Sequence, residues 1–346
     1  MKLFTMLVLI LTLALIGFGA DLKLSDYATP NDNLSDSADF QQAVDDLETA
    51  GGGTLRVTEG IWDFDAMIDL TTFSNANNSI VIKGEKGAVI KPDLSGSTIL
   101  FYAGNQNQFS LENLVIVGDG NSSNSDAGYI LYSNNVNQTR IIGCQFFGLK
   151  VTESVVYFGN TDGVIRDSLF YGTASIDAVV HAENYRGLTV SDSEFLDYGH
   201  LNGTYYSKTP EGNANWIKLN VTSPIVNATG LRQTLIQNTR FDEGATYAIN
   251  ADGITYLQVT GITDNVANVN GAAGITLNNV KYSEVKMSSF GYATNARPAI
   301  QAFNNSTVYV DAVWLGASVF YGQRDQGSQS FFNLKACSSG CGFSVL

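Results

Sequence analysis

Ile165-Arg166-Asp167-Ser168-Leu169-Phe170 and, a little further on, Val190-Ser191-Asp192-Ser193-Glu194-Phe195 are two copies of one unit. It runs Ile or Val, any residue, a small or polar residue, two more of any kind, then Phe or Ile. The first positions of its copies are Leu111, Ile142, Ile165, Val190, Ile236, Val259 and Val285, with a usual step of 23 to 26 residues. A second strip follows each copy, an apolar pair running into a turn asparagine: Ile130 to Asn134, Val156 to Asn160, Val180 to Asn184, Ile217 to Asn220, Ile275 to Asn278 and Ile300 to Asn304. Short β-branched segments separated by Gly and Asn turns at such an interval describe the coils of a solenoid. The fold class read from this pattern is all-β, a right-handed parallel β-helix with an N-terminal capping helix. The recurring asparagines are read as structural, because Asn tolerates left-handed backbone and can hydrogen-bond to its copies above and below.

One interval departs from the rest. Val190 to Ile236 spans 46 residues but holds a single copy of the second strip, Trp216 to Asn220, so it is one enlarged coil with insertions near 199–215 and 221–231. Long excursions from a rigid stack carry binding or catalytic residues, since loops vary while the stack holds them.

The ends need closure. Phe40, Val44 and Leu47 recur at helical spacing behind Asp36 and Ser37, and Gly51 to Gly53 end the run, which predicts a capping helix over 36–49. Thr54 to Val57 then enters the first coil. Residues 21–70 are thus a cap and entry, 71–315 the coils, and 316–346 an aromatic-rich tail that closes the last coil or joins an oligomer, for which a homotrimer is one form. Lys2, the apolar run Leu7 to Ile16 and the small residues up to Ala20 have the layout of a secretory signal or a retained membrane anchor. Export to the cell exterior, or to a cell or virion surface, is expected.

Composition narrows the partners. With 33 acidic and 19 basic residues the formal charge is −14, which repels nucleic acid and anionic membrane surfaces. Hydrophobic residues make up 44% and charged ones 15%, enough for an extended core. Cys144 lies within an apolar repeat, whereas Cys337 and Cys341 frame a short segment suited to a disulfide loop in an exported chain. No cofactor is expected, and no metal either, since no compact acidic loop offers several convergent oxygens. Nine Asn-x-Ser/Thr sequons, beginning at Asn33, Asn77, Asn121, Asn137, Asn202, Asn220, Asn227, Asn304 and Asn305, reflect a composition rich in turn residues.

Asp26-Tyr27-Ala28, Asp39-Phe40-Gln41-Gln42-Ala43, Gly51-Gly52-Gly53-Thr54-Leu55 and Glu59-Gly60-Ile61-Trp62 resemble the entry segment of the pectate lyase superfamily, which includes polygalacturonases, rhamnogalacturonases and phage tailspikes. The resemblance is close over about residues 25 to 70 and loose along the coils. It implies polysaccharide chemistry or receptor binding, often as trimers in the viral members. Asn160-Thr161-Asp162-Gly163 also resembles the polygalacturonase Asn-Thr-Asp signature. However, Asp162 and Asp177 lie closer in sequence than a coil step, Ser175-Ile176-Asp177 replaces the expected aspartate pair, and Trp216-Ile217-Lys218 alone represents the final basic element.

Two constellations could carry chemistry. Aligning coils on their Phe positions places Asp197 beside Asp242 and Glu243, a carboxylate set at a spacing that glycosidases use. His200, Tyr205, Tyr206, Lys208 and Glu211 would wall it. The second is His181 and Glu183 on one strand face with Lys218 at the equivalent position one coil later, offering a base and a cation of the kind lyase chemistry requires. The functional expectation is an exported β-helix that binds a polysaccharide or surface glycan as a spike or adhesin, the alternative being a secreted polysaccharide-degrading enzyme.

Overall fold

The computed structural model describes residues 19–71, 78–94, 98–119, 126–173, 175, 177–197, 200–201, 204–205, 215–220, 233–242, 247–265, 274–291, 299–304, 306–311, 313–315, 320–322, 331–335 and 343–345. The chain winds as a right-handed parallel β-helix. Among the described residues three parallel sheets of 12, 10 and 11 strands form its sides. We call them sheets A, B and C in the order the chain visits them. A representative coil is Gln138–Ile142 in sheet A, Gln145–Phe147 in sheet B and Val151–Gly159 in sheet C, after which Asp162–Arg166 returns to sheet A. Each strand hydrogen-bonds to its equivalents one coil before and one coil after.

Period-two alternation sends every second side chain into the lumen. On sheet B the inward Phe146, Phe170, Phe195 and Phe241 lie one above another, with ring centroids 4.6, 4.7 and 5.3 Å apart. The first two contacts are near-parallel, at 4° and 2°. All four rings are fully buried. The next register position holds Asp264, also fully buried, between Phe241 and Phe290.

The structure corrects one repeat position. Ile141, not Ile142, pairs with Leu111 and Ile165 and points inward, and Phe146 rather than Phe147 joins the stack. The turn that follows sets this frame. The residue two places beyond each inward position has positive φ: Asn113, Gly143, Asp167, Asp192, Asn238, Gly261 and Met287. Only Gly, and Asn or Asp at modest strain, adopt that geometry readily, so Gly143 locks Ile141 inward. A second left-handed strip lies between sheets C and A at Asn105, Asn135, Asn160, Asn184, Gly253, Asn279 and Asn304. Here too Asn135 and Asn279 take the turn where sequence reading placed Asn134 and Asn278. Polar ladders do link coils, as in Asn304 donating to Asn278 at 2.6 Å and Asn278 to Asp252 at 3.0 Å.

The helix Ser37–Thr49 closes the N-terminal end, burying Phe40, Ala43, Val44 and Leu47. Its cap residues serve the solenoid rather than the helix. The Asp36 carboxylate accepts the Asp63 amide at 2.8 Å, and the Ser37 hydroxyl accepts the amides of Asp65 and Ala66, each at 3.0 Å. A strand that sequence reading did not foresee, Ala20–Lys23, pairs with the entry strand Gly53–Val57 and covers its edge. At the far end Phe320–Gly322, Phe331–Lys335 and Phe343–Val345 add parallel strands to sheets C and A. Cys144 is buried and unbonded, and burial pushes its thiol up to about 12. Cys337 and Cys341 lie outside the described residues, as does the apolar segment 1–18. Among the described residues no helix is long and apolar enough to cross a membrane.

Candidate functional site

Val190 pairs directly with Ile236, so the long interval is a single coil. Its sheet C strand is Asn215–Asn220. The two inserted sequences join that strand at its start and at its end. The first contains the one antiparallel pairing among the described residues, His200–Leu201 with Thr204–Tyr205.

On that outer face a single register position holds Tyr102, Tyr132, Tyr157, His181 and Lys218 on five successive coils. The expected pairing of His181 with Lys218 is therefore present. The Tyr132 and Tyr157 rings stack at 4.6 Å and 6°. Tyr102 and Tyr129 meet Tyr132 edge-on at 5.4 and 5.2 Å, and the His181 ring lies 5.4 Å from Tyr157 at 84°. Because Tyr132 and Tyr157 cover each other's facing ring surfaces, the row meets solvent mainly through edges and hydroxyls.

Asp177, just before the strand Ala178–Glu183, ties this row together. One carboxylate oxygen lies 3.1 Å from His181 Nδ1, and Lys218 Nζ donates to both oxygens at 2.8 and 3.0 Å. Burial works against the Asp177 charge, but the hydrogen bonds from His181 and Lys218 outweigh it and hold the carboxyl below its ordinary value. A carboxylate only accepts, so Nδ1 carries the proton facing it, and Nε2 is the other ring nitrogen. That Nε2 is screened from solvent and has no hydrogen-bond partner. Glu183 accepts the Tyr157 hydroxyl at 3.0 Å. Burial and Glu183 push the Tyr157 phenol upward; burial, with Glu153 next, pushes Tyr129 to about 12. These hydroxyls therefore act as donors and acceptors, not as phenolates.

The other predicted constellation falls only in part within the described residues. Asp197 has φ 60° and takes the turn position that Gly148 and Gly172 hold on earlier coils, with the Tyr171 hydroxyl bonded to it. Asp242 accepts from Arg240 at 2.6 Å. Glu243, Tyr206, Lys208 and Glu211 lie outside the described residues, and for His200 and Tyr205 the description is of backbone alone. Asp162 opens a strand of sheet A while Asp177 leads into sheet C, so the Asn-Thr-Asp resemblance places no second carboxylate beside it. Among the described residues no group of His, Cys, Asp and Glu could hold a metal ion. A cavity of about 330 Å³ at the cap, lined by Asn33, Leu34, Ser35, Asp63, Phe64, Asp65 and Asp93, is occupied at its edges by the contacts that clasp cap to coil.

Sequence reading missed Asp177 as the hub, and it missed the tyrosines. Their signal was present, since Tyr102, Tyr132 and Tyr157 precede His181 at coil steps.

The sequence matches no protein-family model and no curated protein. Solved structures do match. The Streptococcus pneumoniae surface protein and adhesin PfbA superimposes with a TM-score of 0.61 at 14% identity, covering 94% of this chain and 100% of that one. A tailspike protein of Escherichia coli bacteriophage HK620, in complex with a pentasaccharide, gives 0.57 at 12% identity, covering 94% of this chain and 65% of that one. At such identities the likeness is one of fold.

Proposed function

We propose that this chain is an exported surface protein, a spike or adhesin, that binds a glycan on the outer face of sheet C around Tyr132, Tyr157, His181 and Glu183. The observation that carries the reading is the row of tyrosine hydroxyls, imidazole and carboxylate that the register of sheet C lines up on its outer face. The surroundings fit. Tyrosine hydroxyls and a carboxylate provide the polar contacts that orient a sugar, and the roots of both insertions flank the strand carrying Lys218. Support for the ligand class comes from the fold neighbours, one an adhesin and one a tailspike solved with a pentasaccharide.

A second reading has its own observation. An imidazole oriented through Nδ1 by a carboxylate is the arrangement of a general base, so His181 with Asp177 also supports a polysaccharide-degrading enzyme. One panel separates the two readings. Immobilised neutral and acidic polysaccharides are offered to wild type, Tyr157→Ala and His181→Ala, with reducing-end release and unsaturated-uronate absorbance followed in parallel. The expected result is glycan retention without product, weakened about tenfold or more in either variant while the circular dichroism spectrum is kept. Product formation that His181→Ala abolishes would establish the enzyme, and no retention of any glycan by wild type would sink the binding reading.

A further inference from the structure

Charge is divided unequally among the three faces. Among the described residues the sheet A strands carry Lys23, Arg56, Lys83, Arg140, Arg166 and Lys286 against fewer carboxylates. The described strands of sheet C carry Asp69, Glu153, Glu183 and Asp252, with Lys218 their one cation, and Asp177 sits at the same face. Lys218 is turned onto Asp177, at 2.8 and 3.0 Å, so the one ammonium group of these described strands is already engaged. The inserted sequences, residues 198–214 and 221–232, contain Lys208, Glu211 and Arg232, which offset only part of the imbalance.

Hydrogen-bond polarity points the same way. The carboxylates of Glu183 and Asp177 accept. The Tyr157 hydroxyl spends its proton on Glu183. The face is therefore rich in acceptors and poor in uncommitted cations, the reverse of what a carboxylated or sulfated sugar needs, since such groups are recognised by Arg, Lys and N–H donors.

We propose, resting on the glycan-binding reading above, that the sheet C face takes neutral or amino sugars through their hydroxyl and ammonium donors and rejects uronates and other anionic glycans. The row Tyr102 to Lys218 runs along the solenoid axis with one residue per coil. Neighbouring strands lie about 4.8 Å apart, so a linear oligosaccharide aligned with the axis would present its successive units to successive coils.

The test reverses the field without touching the row. Glu153 and Asp252 are exposed, and Asp252 meets Asn278 rather than the tyrosines. The double variant Glu153→Lys/Asp252→Lys reverses the sign of the charge on the sheet C strands. Wild type and variant are titrated with a neutral glucan oligomer, a chitosan oligomer and an oligogalacturonate at low and at physiological salt. Wild type should bind the neutral and amino oligomers and bind oligogalacturonate at least about tenfold more weakly. The variant should gain oligogalacturonate binding in a salt-sensitive way, lose part of its chitosan affinity and keep its affinity for the neutral glucan. Wild type binding oligogalacturonate as tightly as the neutral oligomer would overturn the selectivity and leave the glycan reading standing. Binding to none of the three would remove both.

Discussion

Phe170→Ala should lower the unfolding free energy by about 3–5 kcal/mol, the range for truncating a buried aromatic. Phe170 is fully buried and has a near-parallel ring on each side, at 4.6 Å from Phe146 and 4.7 Å from Phe195. Truncation opens a cavity and also leaves both neighbours without a stacking partner, which adds about 0.5–1.5 kcal/mol per lost pair. The strands flanking this position are hydrogen-bonded on both sides, so the backbone has little room to collapse into the gap. The informative control is Phe147→Ala. That ring points outward from the neighbouring strand Gln145–Phe147, and its loss should cost roughly 1 kcal/mol or less. Urea midpoints of the two variants decide between the frames: a larger loss at Phe147 would restore Ile142 and Phe147 as the inward pair.

The second large effect is on the pH dependence of stability. Asp126 is buried, and burial raises its carboxyl from an ordinary 3.8 to about 6, even though the amides of Lys150 and Asp119 hydrogen-bond to it. A group with a raised folded pKa contributes stability that is fully present below the unfolded value and is lost as pH rises through the folded value. Asp126 should therefore stabilise the fold at pH below about 4 and lose that contribution between about 4 and 6, amounting to about 2–3 kcal/mol. Asp36, likewise raised to about 6 by burial, acts in the same direction at the cap. Asp177 acts oppositely, because its carboxyl is held below 3.8 and its contribution disappears only as pH falls below that value. The urea midpoint should be higher at pH 4.5 than at pH 7.5, and Asp126→Asn should flatten the profile. A midpoint unchanged between pH 4.5 and 7.5 in wild type would show Asp126 and Asp36 to be ionised at no cost.

Much of the architecture was legible because a solenoid writes its geometry as periodicity. The unit at Ile165 and Val190 identified the inward positions of sheets A and B, and the spacing of Phe40, Val44 and Leu47 identified the cap. The frame at Ile142 slipped by one because two adjacent isoleucines satisfy the same pattern, and hydrophobicity alone cannot rank them. Gly143, as the left-handed turn residue, resolves the choice. Asp36 and Ser37 were rightly placed at the helix start but assigned to the wrong partner, since their side chains reach residues 63 to 66 across the fold. The site was legible only in part. His181 and Lys218 could be aligned because both sit on coil-periodic strands. Asp177 could not, because it precedes its strand, and nothing periodic marks a residue whose importance lies in bridging two side chains. Asp197 carries a second role that the sequence did not announce: the backbone there needs a residue that accepts positive φ, and Asp fills the place of Gly148 and Gly172.

The strict register of sheet C also bears on how such a chain can change its length. Asn134 sits directly over Gly159, so removing residues 135–159 would join Asn134 to Asn160 at the point where one coil ordinarily passes into its turn. Every strand after the junction would keep its face, its alternation and its left-handed turn residue. Gain or loss of one whole coil is thus nearly invisible to the packing, while gain or loss of a single residue within a strand turns the inside out. The strands are quantised in length, and the segments between them take up the differences in coil step.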